Sequence, residues 1–117
     1  MRDWVNLDKK YIWHPFTQMQ DWQECDNLVV ERAEGVYLSA VNGERYLDGI
    51  SSLWVNIHGH RKKEIDQAVV DQLRKMAHST LLGLGATPSI ELAEKLVKVA
   101  PKNLSRVFFS DSGSTAV

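Results

Sequence analysis

The feature that most constrains the fold of this chain is an apolar run that leads into a turn of small polar residues. Residues 106–109 read Arg-Val-Phe-Phe, and residues 110–117 read Ser-Asp-Ser-Gly-Ser-Thr-Ala-Val. A strand followed by a small-residue turn normally leads into a helix in α/β layers. We therefore predict a strand over 106–109 and a helix from Gly113 onward. Because one helical turn does not sustain itself, the 117 residues are expected to be a truncated piece of a longer chain.

This turn offers the groups that bind a phosphate. The first N–H groups of a helix point towards such a turn, and the helix start carries a partial positive charge. Gly113 lets the backbone approach a ligand closely, while Ser112, Ser114 and Thr115 offer hydroxyls. Asp111 would repel a phosphate, so it is expected to point away or to pair with a cation. The alternative is an ordinary N-cap turn without a ligand. A P-loop is excluded, because the Gly-Lys-Ser/Thr ending is missing.

The segment between residues 28 and 48 predicts a small antiparallel meander. Asn42-Gly43 is the strongest short hairpin signal, because both residues tolerate the positive φ of a type I′ turn. Residues 51–60 are apolar at their centre and contain a glycine near their end, which favours a loop or a short strand. The three strands of the meander are predicted over residues 28–33, 36–41 and 44–48.

Helical patterns occupy three further segments. Residues 1–12 are expected to hold a short helix, and residues 63–77 a longer one. A third helix should start with Thr87 as N-cap and Pro88 in the first position, and should end before Pro101. The apolar stripes expected to form core are Ile65, Ala68, Val69, Leu73 and Met76 in the second helix, and Ile90, Ala93, Leu96 and Val97 in the third.

Two apolar segments lie between these elements. Residues 13–19 are dense in aromatic rings, and Pro15 disfavours helical geometry at His14, so this segment is predicted to be extended. Its rings need another surface to cover them. Residues 81–86 form a loop that is both glycine-rich and apolar.

Composition excludes several classes of function. The net charge is −1, which gives no electrostatic reason to expect nucleic acid or an anionic membrane as a partner. The single cysteine, Cys25, excludes an internal disulfide and fits a reducing compartment, so the cytoplasm is the predicted location. No secretory signal or membrane-spanning run is visible. His58, His60, His78 and Cys25 match no zinc spacing, and no metal site is predicted.

Three blocks of this sequence resemble the diaminononanoate synthase branch of the class III aminotransferases, which use pyridoxal phosphate (PLP). The blocks are residues 11–19, residues 48–60 and residues 110–117, and they occur in the family's order and at its spacing. The resemblance implies an α/β chain, the N-terminal part of a fold type I PLP-dependent transferase. Residues 1–60 would form the N-terminal segment and β-meander of the small domain, and residues 61–117 the start of the large mixed-sheet domain.

The resemblance also implies roles for individual residues. Gly113 and Ser114, together with Ser112 beside them, match the positions that bind the PLP phosphate. Trp54 lies in the block that lines the substrate pocket. Phe16 matches an aromatic pocket position that is often tyrosine in the family.

Leu53 matches a position that is often tryptophan, so both Leu53 and Phe16 change the side chains available for substrate or amino-donor recognition. The implied reaction moves an amino group from S-adenosylmethionine or lysine to 7-keto-8-aminopelargonate, giving 7,8-diaminononanoate. A homodimer is implied, with residues 81–86 as a candidate contact.

The family's catalytic lysine, which bonds PLP covalently, has no counterpart here. None of the eight lysines of this sequence lies in a matching context, so no catalytic residue is assigned and the chain is expected to be inactive alone. Two alternatives stay open. One is another class III aminotransferase acting on ω-amines, and the other is a non-catalytic truncated chain. With its apolar segments lacking cover, the isolated chain is expected to be poorly stable.

Overall fold

The computed structural model describes residues 2–117, which form six helical segments and one sheet. The chain divides into two compact units, with the division between Asp71 and Gln72. The proposed domain boundary at residues 60 and 61 stays a prediction. The elements are α1 Trp4–Tyr11, α2 Met19–Glu24, β1 Val30–Glu34, β2 Tyr37–Ala40, β3 Arg45–Leu47, α3 Ser51–Trp54, α4 Lys63–Lys75, α5 Thr87–Val99 and α6 Gly113–Ala116.

The meander is present as predicted, as an antiparallel sheet in the order β1-β2-β3. Glu34 pairs with Tyr37 at the tight β1–β2 turn, and Tyr37 in turn pairs with Leu47 of β3. The buried hydrophobic side chain of the described residues is that of Ala40, which is 4% exposed at the end of β2. The sheet therefore holds together by its ladder hydrogen bonds more than by a core of its own.

The β2–β3 turn differs from the predicted type I′ turn. Gly43 has a φ of +89°, but Asn42 does not have the positive φ that a type I′ turn also requires at this position, so that turn is not formed. The Gly43 N–H donates to the Ala40 carbonyl at 3.0 Å, and the Asn42 Oδ1 accepts from the Glu44 N–H at 3.1 Å. The prediction was wrong because the loop contains one residue more, Val41, which leaves only glycine in the left-handed region.

Two glycines connect the sheet to the segment that follows it. Gly35 and His60 form an isolated antiparallel bridge, in which each N–H donates to the other's carbonyl, at 3.0 Å and 2.7 Å. Gly59 has a φ of +78°, and a Cβ added there would lie 3.0 Å from the Gly35 carbonyl oxygen. The chain from residue 57 to residue 60 therefore packs against the β1–β2 turn only because position 59 has no side chain.

The long helices confirm their sequence patterns, but their apolar stripes are not buried. Both α4 and α5 form where predicted. Of the two, α5 ends at Val99, before Pro101. Its N-cap is Ala86 and not Thr87, and Pro88 lies within the first turn. Neither helix has a buried residue among those described. The prediction of core stripes was wrong for this chain, because no other described element covers these faces.

Two local predictions also differ from the structure. Residues 106–109 form no strand, because a strand needs a neighbour to complete its hydrogen bonds and none of the described strands pairs with them. Within the aromatic segment 13–19, Pro15 and Phe16 form a turn, and Met19 already begins α2. The segment is therefore bent, not uniformly extended.

We expect Gly59→Ala to destabilise the protein more than Gly43→Ala. Both glycines have left-handed φ, +78° and +89°, where alanine carries a similar backbone penalty. Only the Cβ at position 59 meets another atom, the Gly35 carbonyl oxygen at 3.0 Å, whereas the one at position 43 meets nothing within 4 Å. Gly59→Ala should therefore lower the free energy of unfolding by a further ~1–3 kcal/mol, measured by urea denaturation. Equal losses would contradict a tight contact.

Candidate functional site

The turn predicted to bind phosphate forms a capped helix start. Ser112 is the N-cap of α6, with an extended backbone at φ −154°. Its hydroxyl oxygen accepts from the Thr115 N–H at 3.3 Å, and the Thr115 hydroxyl oxygen accepts from the Ser112 N–H at 3.2 Å. Asp111 was expected to point away from a phosphate or to pair with a cation; its Oδ1 accepts a hydrogen bond from the Thr115 hydroxyl at 2.9 Å.

The cap leaves a defined set of donors for a ligand. The first N–H groups of a helix have no intrahelical acceptor, and here the Thr115 N–H is taken by Ser112. The N–H groups of Gly113 and Ser114 and the Ser114 hydroxyl remain. A Cβ added to Gly113 would meet nothing within 4 Å, so open space lies in front of the backbone. The Ser112 hydroxyl caps the helix, and its predicted contact with a phosphate stays a prediction.

In the first unit, the candidate pocket residue Trp54 lies on a left-handed turn. The φ angles of α3 are 52° at Ser51, 48° at Ser52, 66° at Leu53 and 70° at Trp54. The sequence favoured a loop or short strand here, and no pattern predicted a left-handed turn of non-glycine residues. Left-handed helical geometry costs about 1–2 kcal/mol for each L-residue, so other interactions must stabilise the turn.

Those interactions centre on Asp48. Its carboxylate accepts from the Ser52 N–H at 2.8 Å and from the Ser52 hydroxyl at 2.8 Å. His60 Nε2 lies 2.7 Å from the same carboxylate, whose side chain is 5% exposed. The hydrogen bond from the Ser52 N–H, followed by those from its hydroxyl and from His60, lowers the pKa of Asp48 below its ordinary 3.8. The carboxylate is therefore charged at neutral pH and binds the second residue of the turn.

Asn56 completes the connection between this turn and the sheet. With its amide oxygen towards His60, it accepts from the His60 N–H at 3.2 Å and from Nδ1 at 2.7 Å. Its amide nitrogen then donates to the Gly59 carbonyl at 2.8 Å. Both ring nitrogens of His60 thus face oxygen partners, while its backbone bonds Gly35.

Phe16, the second candidate pocket residue, follows another aspartate–histidine pair. His14 Nε2 lies 2.9 Å from Asp8 Oδ2, and the Trp22 indole N–H donates to the same oxygen at 3.0 Å. The His14 and Trp22 rings lie 4.3 Å apart. Phe16 itself has a φ of 52° and a fully exposed ring. The expected cover for the aromatic segment is thus absent from the described residues.

Both aspartate–histidine pairs were missed by sequence reasoning. Asp48 and Ser52 are four residues apart, a spacing that permits a local side-chain bond to the backbone, but His60 is twelve residues away.

The structure places the predicted site residues Trp54 and Phe16 in the first unit, and Gly113 and Ser114 in the second. Among residues 2–117 no cluster of metal-ligating side chains is found, and no helix there is long and apolar enough to cross a membrane.

Comparison with known proteins identifies the family. The model of the class-III aminotransferases matches residues 19–117. The chain belongs to this family. Its fold agrees with the assignment, because solved transaminase structures superimpose on nearly the whole chain, and the prediction of an α/β piece of the transaminase fold is confirmed.

Individual relatives narrow the likeness within the class-III aminotransferases. The adenosylmethionine-8-amino-7-oxononanoate aminotransferase of Nitratidesulfovibrio vulgaris is 58% identical over 96% of this chain and 21% of its own length. The enzyme of the same name from Anoxybacillus flavithermus is 56% identical over all of this chain and 26% of its own. The chain therefore spans about a quarter of the length of the curated relatives it matches.

Solved structures give the same picture. The crystal structure of the Methanocaldococcus jannaschii enzyme of this name has a TM-score of 0.92 and 52% identity, covering 97% of this chain and 26% of that one. An omega transaminase from Pseudomonas jessenii in complex with PMP has a TM-score of 0.89 and 34% identity, covering 98% of this chain and 26% of that one.

We expect Asp8→Asn to lower the melting temperature at pH 7 but not in acid. The hydrogen bond with His14 lowers the folded-state pKa of Asp8 below its ordinary 3.8. Its stabilising contribution is therefore complete above that pH and is lost as the pH falls through the folded-state pKa. Calorimetry should show the two melting temperatures converging below pH 3.8. The exposed control Asp26→Asn should leave the melting temperature at pH 7 close to that of the wild type, and a constant difference for Asp8→Asn at all pH values would contradict the assignment.

Proposed function

We propose that the full-length protein, meaning this chain joined to the remaining three quarters of its relatives' length, is a PLP-dependent aminotransferase. It would transfer an amino group to 8-amino-7-oxononanoate and form 7,8-diaminononanoate in biotin biosynthesis. The observation that carries this proposal is 52–58% identity, over 94–100% of the chain, to five relatives that bear this enzyme's name. The amino donor, S-adenosylmethionine or lysine, is left open.

The start of α6 is the proposed seat of the cofactor phosphate. The N–H groups of Gly113 and Ser114 are not used by the cap, and the Ser114 hydroxyl adds a third donor. No side chain fills the space beside Gly113. These features fit a phosphate, which backbone donors and the positive end of a helix bind well. When bound, PLP supplies the electron sink for amino transfer, and this segment contributes binding and orientation.

Trp54 and Phe16 are the proposed substrate-binding residues of this chain. Their side chains are 79% and 109% exposed, so no described part of the chain has taken up their rings. Exposed aromatic rings such as these can pack against the aliphatic part of a keto acid, while nearby polar groups bind its polar ends. Trp54 lies between Asp48 and His60 in the chain, on a turn that Asp48 binds, whereas Phe16 follows the Asp8–His14 pair in the chain.

Proton transfer is assigned to the part of the protein outside this chain. The lysine that bonds the cofactor is proposed to lie there, so residues 1–117 alone should be inactive. The full-length protein is proposed to be a cytoplasmic homodimer with residues 81–86 as a candidate contact. That loop holds three exposed leucines: Leu81, Leu82 and Leu84.

A second candidate function is amino transfer from an ω-amine. It is favoured by the likeness to omega transaminases, whose structures superimpose with TM-scores of 0.89 to 0.91 at 33–34% identity. The lower identity places it behind the first candidate. Activity of the purified full-length protein with 8-amino-7-oxononanoate, and not with simple ketones and ω-amines, decides between the two.

We expect Gly113→Ala to weaken PLP binding without destabilising the apoprotein. Gly113 has no positive φ, and its added Cβ meets nothing, so folding should tolerate alanine. The methyl group would hold a phosphate away from the Gly113 and Ser114 N–H groups. Because a hydrogen bond to a charged group contributes about 1.5–3 kcal/mol, the dissociation constant for PLP should rise about tenfold or more.

The matched control is Gly43→Ala in the β2–β3 hairpin, whose Cβ would also meet nothing within 4 Å. It should leave the absorbance titration with PLP unchanged in the full-length protein. An unchanged titration for Gly113→Ala would place the phosphate elsewhere.

A further inference from the structure

The strongest feature without an assigned role is the left-handed turn α3 together with the carboxylate that binds it. We propose that Asp48 is a positioning residue for substrate recognition, which holds α3 in its left-handed form and so fixes the place of Trp54. The inference rests on the proposed function, in which Trp54 lines the substrate pocket.

The turn needs an interaction from outside itself. Its four residues, Ser51 to Trp54, have φ between 48° and 70°, and none is glycine, asparagine or aspartate. Single residues of those three types visit this region readily, whereas consecutive serine, leucine and tryptophan do not. Without support, the turn would relax towards right-handed geometry, and the Cα–Cβ bond of Trp54 would change direction.

Asp48 supplies that support in a form that no neutral side chain of its size reproduces. It accepts two hydrogen bonds from Ser52, both at 2.8 Å, and its other contact is His60 Nε2 at 2.7 Å. His60 is itself bound to Gly35 through both of its backbone groups. One shielded carboxylate thus connects the strained turn to the sheet. An asparagine amide has one acceptor oxygen where the carboxylate uses two.

Trp54 depends on this arrangement because little of the molecule covers it. The residue is 79% exposed, and its backbone N–H donates to the Ile50 carbonyl at 2.8 Å. The backbone conformation of α3 therefore sets where the indole points. A change at Asp48 should reach the substrate only through Trp54.

The first test is Asp48→Asn in the full-length holoenzyme. We expect the KM for 8-amino-7-oxononanoate to rise about tenfold or more, with a smaller effect on kcat, since a displaced pocket wall weakens substrate binding. Glu44→Gln is the matched control, because Glu44 also accepts side-chain hydrogen bonds, from Asn42 and Tyr46, but lies in the β2–β3 hairpin. Its KM should equal that of the wild type.

The second test separates positioning from general stability. Glycine takes positive φ without cost, so Ser52→Gly added to Asp48→Asn should recover much of the lost KM. Ser52→Ala in the same background loses the same hydroxyl but gains no backbone freedom, and it should recover none. Equal KM values for the two double variants would overturn the proposal.

Two single variants keep the outcome decisive if Asp48→Asn fails to fold. Ser52→Ala removes only the hydroxyl bond to Asp48 and should raise KM severalfold, while Trp54→Ala reports the pocket directly. A raised KM in Trp54→Ala with a wild-type KM in Ser52→Ala would refute the positioning role and leave the pocket assignment intact. A wild-type KM in Trp54→Ala would refute both.

Discussion

The hydrogen bonds to the Asp48 carboxylate are the interaction on which the first unit depends. They join Ser52, in a backbone conformation that L-residues avoid, to His60, which is paired with the sheet. A second aspartate–histidine pair, Asp8 and His14, precedes Phe16 in the chain. The backbone that carries Trp54 is therefore held by a charged carboxylate whose side chain is 5% exposed. Rigid placement of this kind is what substrate-binding residues require.

Local patterns predicted the elements of this chain well. Apolar periodicity located α4 and α5, Pro101 marked a helix end, and the Ser-Gly-Ser-Thr turn indicated the capped start of α6. These features depend on residues within a few positions of each other, which a sequence displays directly. The same reasoning, joined to the three resembling blocks, identified the family.

Predictions that needed a distant partner fared worse. The run at 106–109 has the composition of a strand but no neighbour among the described strands, and the stripes of both long helices remain uncovered. The bond between Asp48 and His60 spans twelve residues, and no spacing rule points to it. The left-handed geometry of α3 occurs at serine, leucine and tryptophan, so propensities read along the chain do not reveal it.

The handedness of α3 has a consequence for chemistry outside natural proteins. Mirror-image amino acids favour the geometry that L-residues resist, since the steric clash between Cβ and the carbonyl oxygen reverses with chirality. A D-serine at position 52 would therefore sit in its preferred conformation without the aspartate beneath it. Peptide synthesis and ligation would give a turn in which one of the four left-handed residues keeps its conformation by stereochemistry, which leaves less strain for the Asp48 carboxylate to offset.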